Sequence, residues 1–363
     1  MTYLDANATE PLRPCARAAA LAAMDLPGNP SSVHQAGREA RHVLEQARQA
    51  IAGFFGSDRE NLVFTSGGTE ANGLAIVGLG AGRTIVCGAT EHAAVLAAAP
   101  GAEIVPVDRS GRIDPCRLDA TLQATGPALV CIMLANNETG VIAPMRDIAA
   151  VCARRGALLH ADAVQAARRM AVNMQELGVT SLAISGHKLG APKGAGALLM
   201  AAGHDVCAAV IQGGGQERGR RGGTPALPAI AGMSAALLAA EPNTSTLEAL
   251  RDRAESAAVA AGAIVCGAGP RLANTTCLAL PGARADAQVI ALDLAGVAVS
   301  AGAACSSGKV ARSHVLDAMG LSDLAGCAIR VSLPWNVTEA DIDVFVSAYT
   351  GIAARMRHRA RAA

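Results

Sequence analysis

Between about residues 60 and 210 the chain alternates short apolar runs with longer stretches of helical periodicity. The runs fall at 61–64, 84–87, 103–107, 128–133, 157–160, 181–184 and 196–200. Each is apolar at nearly every position rather than at alternate ones, the pattern of strands covered on both faces. The helical stretches between them are the crossovers of a mostly parallel sheet. Ligands of such sheets sit beyond the carboxyl ends of the strands, so the polar residues that follow the runs are where chemistry is expected. Near 240–260 the pattern changes. Glu241-Pro242-Asn243-Thr244-Ser245 interrupts an Ala-rich helix, a charged helical stretch follows, and 272–280 and 328–333 read as strands of a smaller α+β domain.

Composition narrows this picture. The 363 residues are 51% hydrophobic and 17% charged, with seven aromatic side chains, which is not a disordered composition. A net charge of +1 gives no electrostatic footprint for nucleic acid. Ten cysteines are scattered without a C-x-x-C pair, which suggests reduced thiols rather than a disulfide frame or a metal site. The opening Met1-Thr2-Tyr3-Leu4-Asp5 has neither the basic nor the apolar region of a secretory leader, and no segment approaches about 18 uninterrupted apolar residues. The expectation is a soluble, cytoplasmic protein without membrane or nucleic-acid partners. Against 28 arginines stand only three lysines, Lys188, Lys193 and Lys309, so any chemistry that needs a primary amine has few places to occur.

Two glycine clusters carry no ligand signal. Gly78-Leu79-Gly80-Ala81-Gly82 lacks dinucleotide-fingerprint spacing, Gly190-Ala191-Pro192-Lys193-Gly194 lacks the ending of a P-loop, and both read as turns. The run Arg355-Met356-Arg357-His358-Arg359-Ala360-Arg361 reads as a solvated basic helix end.

Three other stretches point to one cofactor. In Phe64-Thr65-Ser66-Gly67-Gly68-Thr69-Glu70 a strand runs through small residues into a helix expected to start at Thr69 or Glu70, and such a start suits a phosphate dianion. Lys188 stands just beyond a buried strand, after Ser185-Gly186-His187, where a desolvated amine is suited to Schiff-base formation. Asp162 ends the preceding strand. Pyridoxal phosphate requires such a set: an amine for its aldehyde, an acid at its pyridine nitrogen and a phosphate site.

With these residues in view, the sequence resembles the cysteine desulfurases of the NifS/IscS type within the class V aminotransferase family. The resemblance runs from Tyr3 to about Asp343. It is carried by Asn29-Pro30-Ser31-Ser32-Val33-His34, the stretch from Phe64 to Asn72, Glu91-His92-Ala93-Ala94-Val95, Asn136-Asn137-Glu138-Thr139-Gly140, His160-Ala161-Asp162-Ala163-Val164-Gln165, Ser185-Gly186-His187-Lys188, Gly213-Gly214-Gly215-Gln216-Glu217 and Ala303-Ala304-Cys305-Ser306-Ser307-Gly308. The sequence departs from the family pattern at Ala6, at Gly302-Ala303-Ala304 before Cys305, at Leu189 and at Ser332-Leu333-Pro334-Trp335.

The resemblance implies a fold-type I pyridoxal phosphate enzyme of the α/β class. A large cofactor-binding domain would span 13–245; residues 1–12 and 246–363 would form the small domain and carry a cysteine loop at about 299–312. It implies that Lys188 bonds the cofactor, His92 stacks on its ring and assists in acid–base steps, Asp162 pairs with the pyridine nitrogen and Gln165 with the phenolic oxygen. Gly68, Thr69, Ser185, Gly186 and His187 would hold the phosphate, and Thr224 would reach the phosphate of a second copy in a homodimer. Asn137, which also borders the cofactor, and Arg330 would bind the substrate carboxylate, with help from Asn7. Cys305 would take sulfur from L-cysteine as a persulfide, leaving L-alanine, and pass it to an acceptor or iron–sulfur scaffold protein. Its setting among small residues suits a nucleophile that moves between cofactor and acceptor. No intrinsic metal site is expected. The alternative reading is a selenocysteine lyase or another class V enzyme acting on a small amino acid.

Overall fold

The computed structural model describes residues 1–206, 208–240, 242–302 and 312–362, with side chains described as far as residue 356. Among them, seven strands form a central sheet in the order Leu62–Thr65, Gly196–Met200, Ser181–Ser185, Leu158–Asp162, Ala128–Met133, Thr84–Gly88 and Glu103–Val105. Only Gly196–Met200 runs against the others. All seven apolar runs are therefore strands, five of them with ends moved by one or two residues. The run expected at 157–160 continues to Asp162, so the carboxylate belongs to the strand itself. The run at 103–107 stops at Val105 because Pro106 has no N–H for the ladder, and Val107 instead bridges Ile113.

The apolar runs are continuous because each strand packs on both sides. Phe64, Val130, Ile132, Leu182 and Ile184 face a core that contains Leu44 and Ile51 of the helix Gln35–Phe54 and Ile230 and Met233 of the helix Leu227–Leu238. Their neighbours Val63, Leu129, Cys131, Ala183 and Leu198 face the other side, against Leu74 and Ile76 of the helix Gly68–Leu79.

A separate core lies around the strand Thr275–Ala279, which pairs antiparallel with Ala328–Ser332 and Ile264–Val265. Leu278, Ile329 and Val331 pack there with Leu250, Leu292, Phe345 and Tyr349. The start of the chain joins this core. Thr2–Tyr3 pairs in parallel with Val297–Ala298, and Leu4 is wholly buried among the C-terminal residues. Among the described residues no helix is long and apolar enough to cross a membrane.

Candidate active site

Six strands share one direction, so their carboxyl ends lie along one edge of the sheet, and the candidate residues follow those ends in turn. After Thr65 the chain passes through Ser66-Gly67 into the helix Gly68–Leu79, one residue earlier than expected. Glu70 fixes that start by accepting the Ser66 N–H at 2.7 Å. Gly68 packs so closely that a Cβ there would lie 2.6 Å from Val164 Cγ2, which keeps the helix N-terminus bare. His92 follows the strand Thr84–Gly88 and caps the helix Ala93–Ala98, its Nδ1 accepting the Ala94 N–H at 3.0 Å. Beyond Ala128–Met133, Asn136 Oδ1 accepts the N–H groups of Glu138 and Thr139 at 2.9 Å each and so shapes the turn that presents Asn137. Lys188 closes a single 3-10 turn, Gly186–Lys188, directly after Ser181–Ser185.

These residues meet in one cavity of about 270 Å³. Asn7, Gly68, Thr69, His92, Asn137, Asp162, Gln165, Ser185, His187, Lys188 and Arg330 all line it. Gly186 is buried in the turn beneath, its N–H donating to Ala195 O at 2.9 Å, and is not part of the wall. Thr224 is exposed and also stands outside the wall. Its loop is tied to the helix start through Arg221, whose Nε donates to Glu70 Oε1 at 2.8 Å. Cys305 and Lys309 lie outside the described residues. The motif 213–217 serves packing within this chain: Arg48 forms a two-point ion pair with the buried Glu217 at 2.7 and 2.8 Å, and Glu217 also accepts the Phe64 N–H.

The wall is electrostatically ordered. Lys188 Nζ donates to the backbone oxygens of Asn7 and Ala8. Burial pushes the Asp162 carboxyl above the ordinary carboxylate range, against the opposing pull of the Val164 N–H at 3.0 Å, the positive field of His92 and the Asn72 amide at 2.7 Å. Burial, reinforced by Lys188 and Lys193, pushes the His187 imidazole down to about 4. Arg169 donates to Gln165 Oε1, and since a guanidinium can only donate, the Gln165 amide nitrogen is the end left to contact Asn7 O, at 2.9 Å. Glu10 completes this group by accepting from Arg169 at 3.0 Å and from the Trp335 N–H at 2.7 Å.

Asn72, Val164 and Arg169 were not assigned site roles from the sequence. Asn72 carries a usable signal, because it is a buried polar residue on the largely apolar helix Gly68–Leu79. Arg169 gives none, since its acceptors on Gln165, Glu10 and Ala6 are 4, 159 and 163 positions away.

The residues present fit pyridoxal phosphate. A bare helix N-terminus can receive the phosphate, a primary amine lines the same cavity, and a buried carboxylate held by two donors can accept from a pyridine N–H. Fold and cavity thus define a fold-type I pyridoxal phosphate enzyme. A sequence profile described as aminotransferase class-V matches residues 2–345, and the chain belongs to that family. It is 42% identical over 383 residues to a cysteine desulfurase of Bradyrhizobium diazoefficiens, with 99% of this chain and 96% of that protein covered. It is 37% identical over 391 residues to an IscS-like cysteine desulfurase of Mycobacterium tuberculosis, covering 100% of this chain and 99% of the relative. The X-ray structure of a NifS-like protein from Rickettsia africae superposes with a TM-score of 0.90 at 32% identity, covering 97% of this chain and 99% of the other.

Proposed function

We propose that this protein is a pyridoxal-phosphate-dependent cysteine desulfurase that converts L-cysteine to L-alanine and loads the sulfur onto Cys305. The observation that carries the reading is the convergence of Lys188, Asp162, His92, Arg330 and the N-terminus of the helix Gly68–Leu79 on one cavity. The full-length similarity to cysteine desulfurases selects the reaction.

Lys188 would hold the cofactor covalently, Gly68, Thr69, Ser185 and His187 its phosphate, Asp162 its ring nitrogen, Gln165 its phenolic oxygen and His92 its ring face. The bound cofactor supplies an electron sink that acidifies the substrate Cα–H. Arg330 and Asn137, with Asn7, orient the substrate carboxylate, and Lys188 Nζ takes and returns the proton at Cα. His92 assists in proton transfer. The Cys305 thiolate attacks the substrate sulfur: the S–S bond forms, the C–S bond breaks, and the carbon skeleton gains a proton and leaves as alanine.

The same reading divides the chain into 13–245, around the central sheet, and 1–12 with 246–363. The separate core around Thr275–Ala279, which takes in Leu4, and the pairing of Thr2–Tyr3 with Val297–Ala298 support this division. It makes the protein a homodimer in which Thr224, exposed and outside the cavity of its own chain, serves the phosphate of a second copy. It places the reaction in the cytoplasm, with delivery of the persulfide sulfur to an acceptor or iron–sulfur scaffold protein. Incubating the protein with pyridoxal phosphate, L-cysteine and a reductant, and measuring alanine and sulfide together, tests the activity. The expected result is equal amounts of both; alanine without sulfide, or no turnover, would overturn it.

A further inference from the structure

Behind the cavity wall a chain of hydrogen bonds runs through the interior and ends on Asp162. Ser181 Oγ lies 2.8 Å from His160 Nδ1, His160 Nε2 lies 2.8 Å from Asn72 Oδ1, and Asn72 Nδ2 donates to Asp162 Oδ2 at 2.7 Å. Ser181 and His160 are 0% exposed and Asn72 1%. The sheet sets this geometry. His160 and Asp162 are two positions apart on one strand and share a face, while Ser181 is the register partner of His160 on the next strand. Asn72 reaches that face from the helix Gly68–Leu79.

The direction of every proton in the chain follows from what each group can do. A carboxylate oxygen accepts, so Asn72 turns its NH₂ toward Asp162 and its carbonyl oxygen toward His160. That oxygen can only accept, so His160 carries its proton on Nε2. Nδ1 is then a lone pair and accepts the Ser181 O–H. Burial pushes the imidazole down to about 3, so the ring stays neutral across the physiological range and the order is not scrambled by a second proton.

We propose that Ser181, His160 and Asn72 form a proton-ordered relay that fixes the Asp162 carboxylate as an acceptor directed at the cofactor's ring nitrogen, with His160 and Asn72 as positioning residues. The inference rests on the cofactor reading above. The Val164 N–H occupies Oδ1 and the Asn72 amide Oδ2, so the carboxylate cannot rotate without losing a donor. The opposite His160 tautomer would remove the donor to Asn72 Oδ1, free the amide to turn, and set an oxygen against Asp162. A histidine that merely filled the core would have no such directional effect.

Two measurements on the full-length protein test this. The first is nitrogen-15 NMR of the histidines without added cofactor, which should show His160 neutral and protonated on Nε2 from pH 5 to 8. An Nδ1–H tautomer, or a cationic ring at pH 6, would overturn the relay. The second compares His160→Leu, Asn72→Leu and His160→Gln by pyridoxal phosphate affinity and by the pH midpoint of the bound cofactor's visible band. Both leucine variants should bind about tenfold or more weakly, with a displaced midpoint, whereas His160→Gln, which keeps an N–H toward Asn72, should stay within about threefold of wild type. A folded His160→Leu protein with unchanged affinity and midpoint would sink the proposal. If the leucine variants fail to fold, Ser181→Ala and the NMR tautomer decide it. Failure of the cofactor reading would show differently, as no binding by wild type while the NMR result stands.

Discussion

Arg330 Nη2 donates to Asp5 Oδ1 at 2.7 Å, and the other oxygen of Asp5 accepts the Ser300 O–H at the same distance. Arg330 Nη1 donates to Asn137 O at 3.1 Å, and the side chain is almost wholly buried. The guanidinium proposed to meet the substrate carboxylate is thus aimed from behind by a residue at the start of the chain. Asp5→Asn removes the charged half of that support. It should raise KM for cysteine by about tenfold while leaving kcat within a few-fold and the bound cofactor's spectrum unchanged. A loss confined to kcat would contradict a positioning role for Asp5.

Lys188 and Cys305 should separate cleanly. Lys188→Ala should lose the visible band of the bound cofactor and all turnover. Cys305→Ser should keep the band and still change colour on adding cysteine, yet release no sulfide. Full sulfur transfer by the Cys305 variant would remove that residue from the mechanism.

Gly196 tests how tightly the turn proposed to hold the phosphate is packed. A Cβ at 196 would lie 2.7 Å from Gly67 Cα and carbonyl carbon, both backbone atoms that cannot swing aside. Gly196→Ala should therefore displace the turn before Gly68 and weaken pyridoxal phosphate binding on the order of tenfold. Fluorescence titration of the cofactor would measure it, and unchanged affinity would show that the turn relaxes freely.

The buried neutral His160 makes stability depend on pH in a defined direction. Its imidazole stays uncharged down to about 3 in the fold, whereas an unfolded histidine takes a proton near 6.5. Its contribution is complete above about pH 6.5 and is lost as pH falls toward 3, at up to about 1.4 kcal/mol per pH unit. The raised carboxyls of Asp162, Glu10 and Glu91 act in the opposite sense in acid, so the test is a difference. Denaturant midpoints from pH 7 to 4 should fall less steeply for His160→Gln than for wild type, and parallel curves would contradict the assignment.

Much of this was legible in the sequence, for physical reasons that differ by element. A strand buried on both faces is apolar at every position, so all seven strands of the central sheet could be read, and the residues following their ends could be read with them. Thr2–Tyr3 and Val297–Ala298 could not, because two-residue strands have no periodicity and pair across almost the whole chain. Glu10 and Arg169 were hidden for a related reason: each is an ordinary charged residue until tertiary structure brings them together at 3.0 Å. Asn72 lay inside a motif whose glycines and hydroxyls accounted for the phosphate, which left its amide without a role until His160 and Asp162 were seen on either side.

The placement of the first ten residues has a consequence for biosynthesis. Asn7 N–H donates to Ser332 Oγ at 3.0 Å, Trp335 N–H donates to Glu10 Oε1 at 2.7 Å, and Arg330 reaches Asp5, each across 325 positions. Residues 7–10 already find partners at Gln165, Arg169 and Lys188, but these contacts of Asp5, Asn7 and Glu10 wait for residues 330–335. The central sheet can form before those residues are made, but the side of the cavity that Arg330 lines cannot. A chain lacking residues 330–335 would keep the sheet-edge residues proposed to hold the cofactor but not the guanidinium proposed to orient cysteine, so on that reading it would not mobilise sulfur.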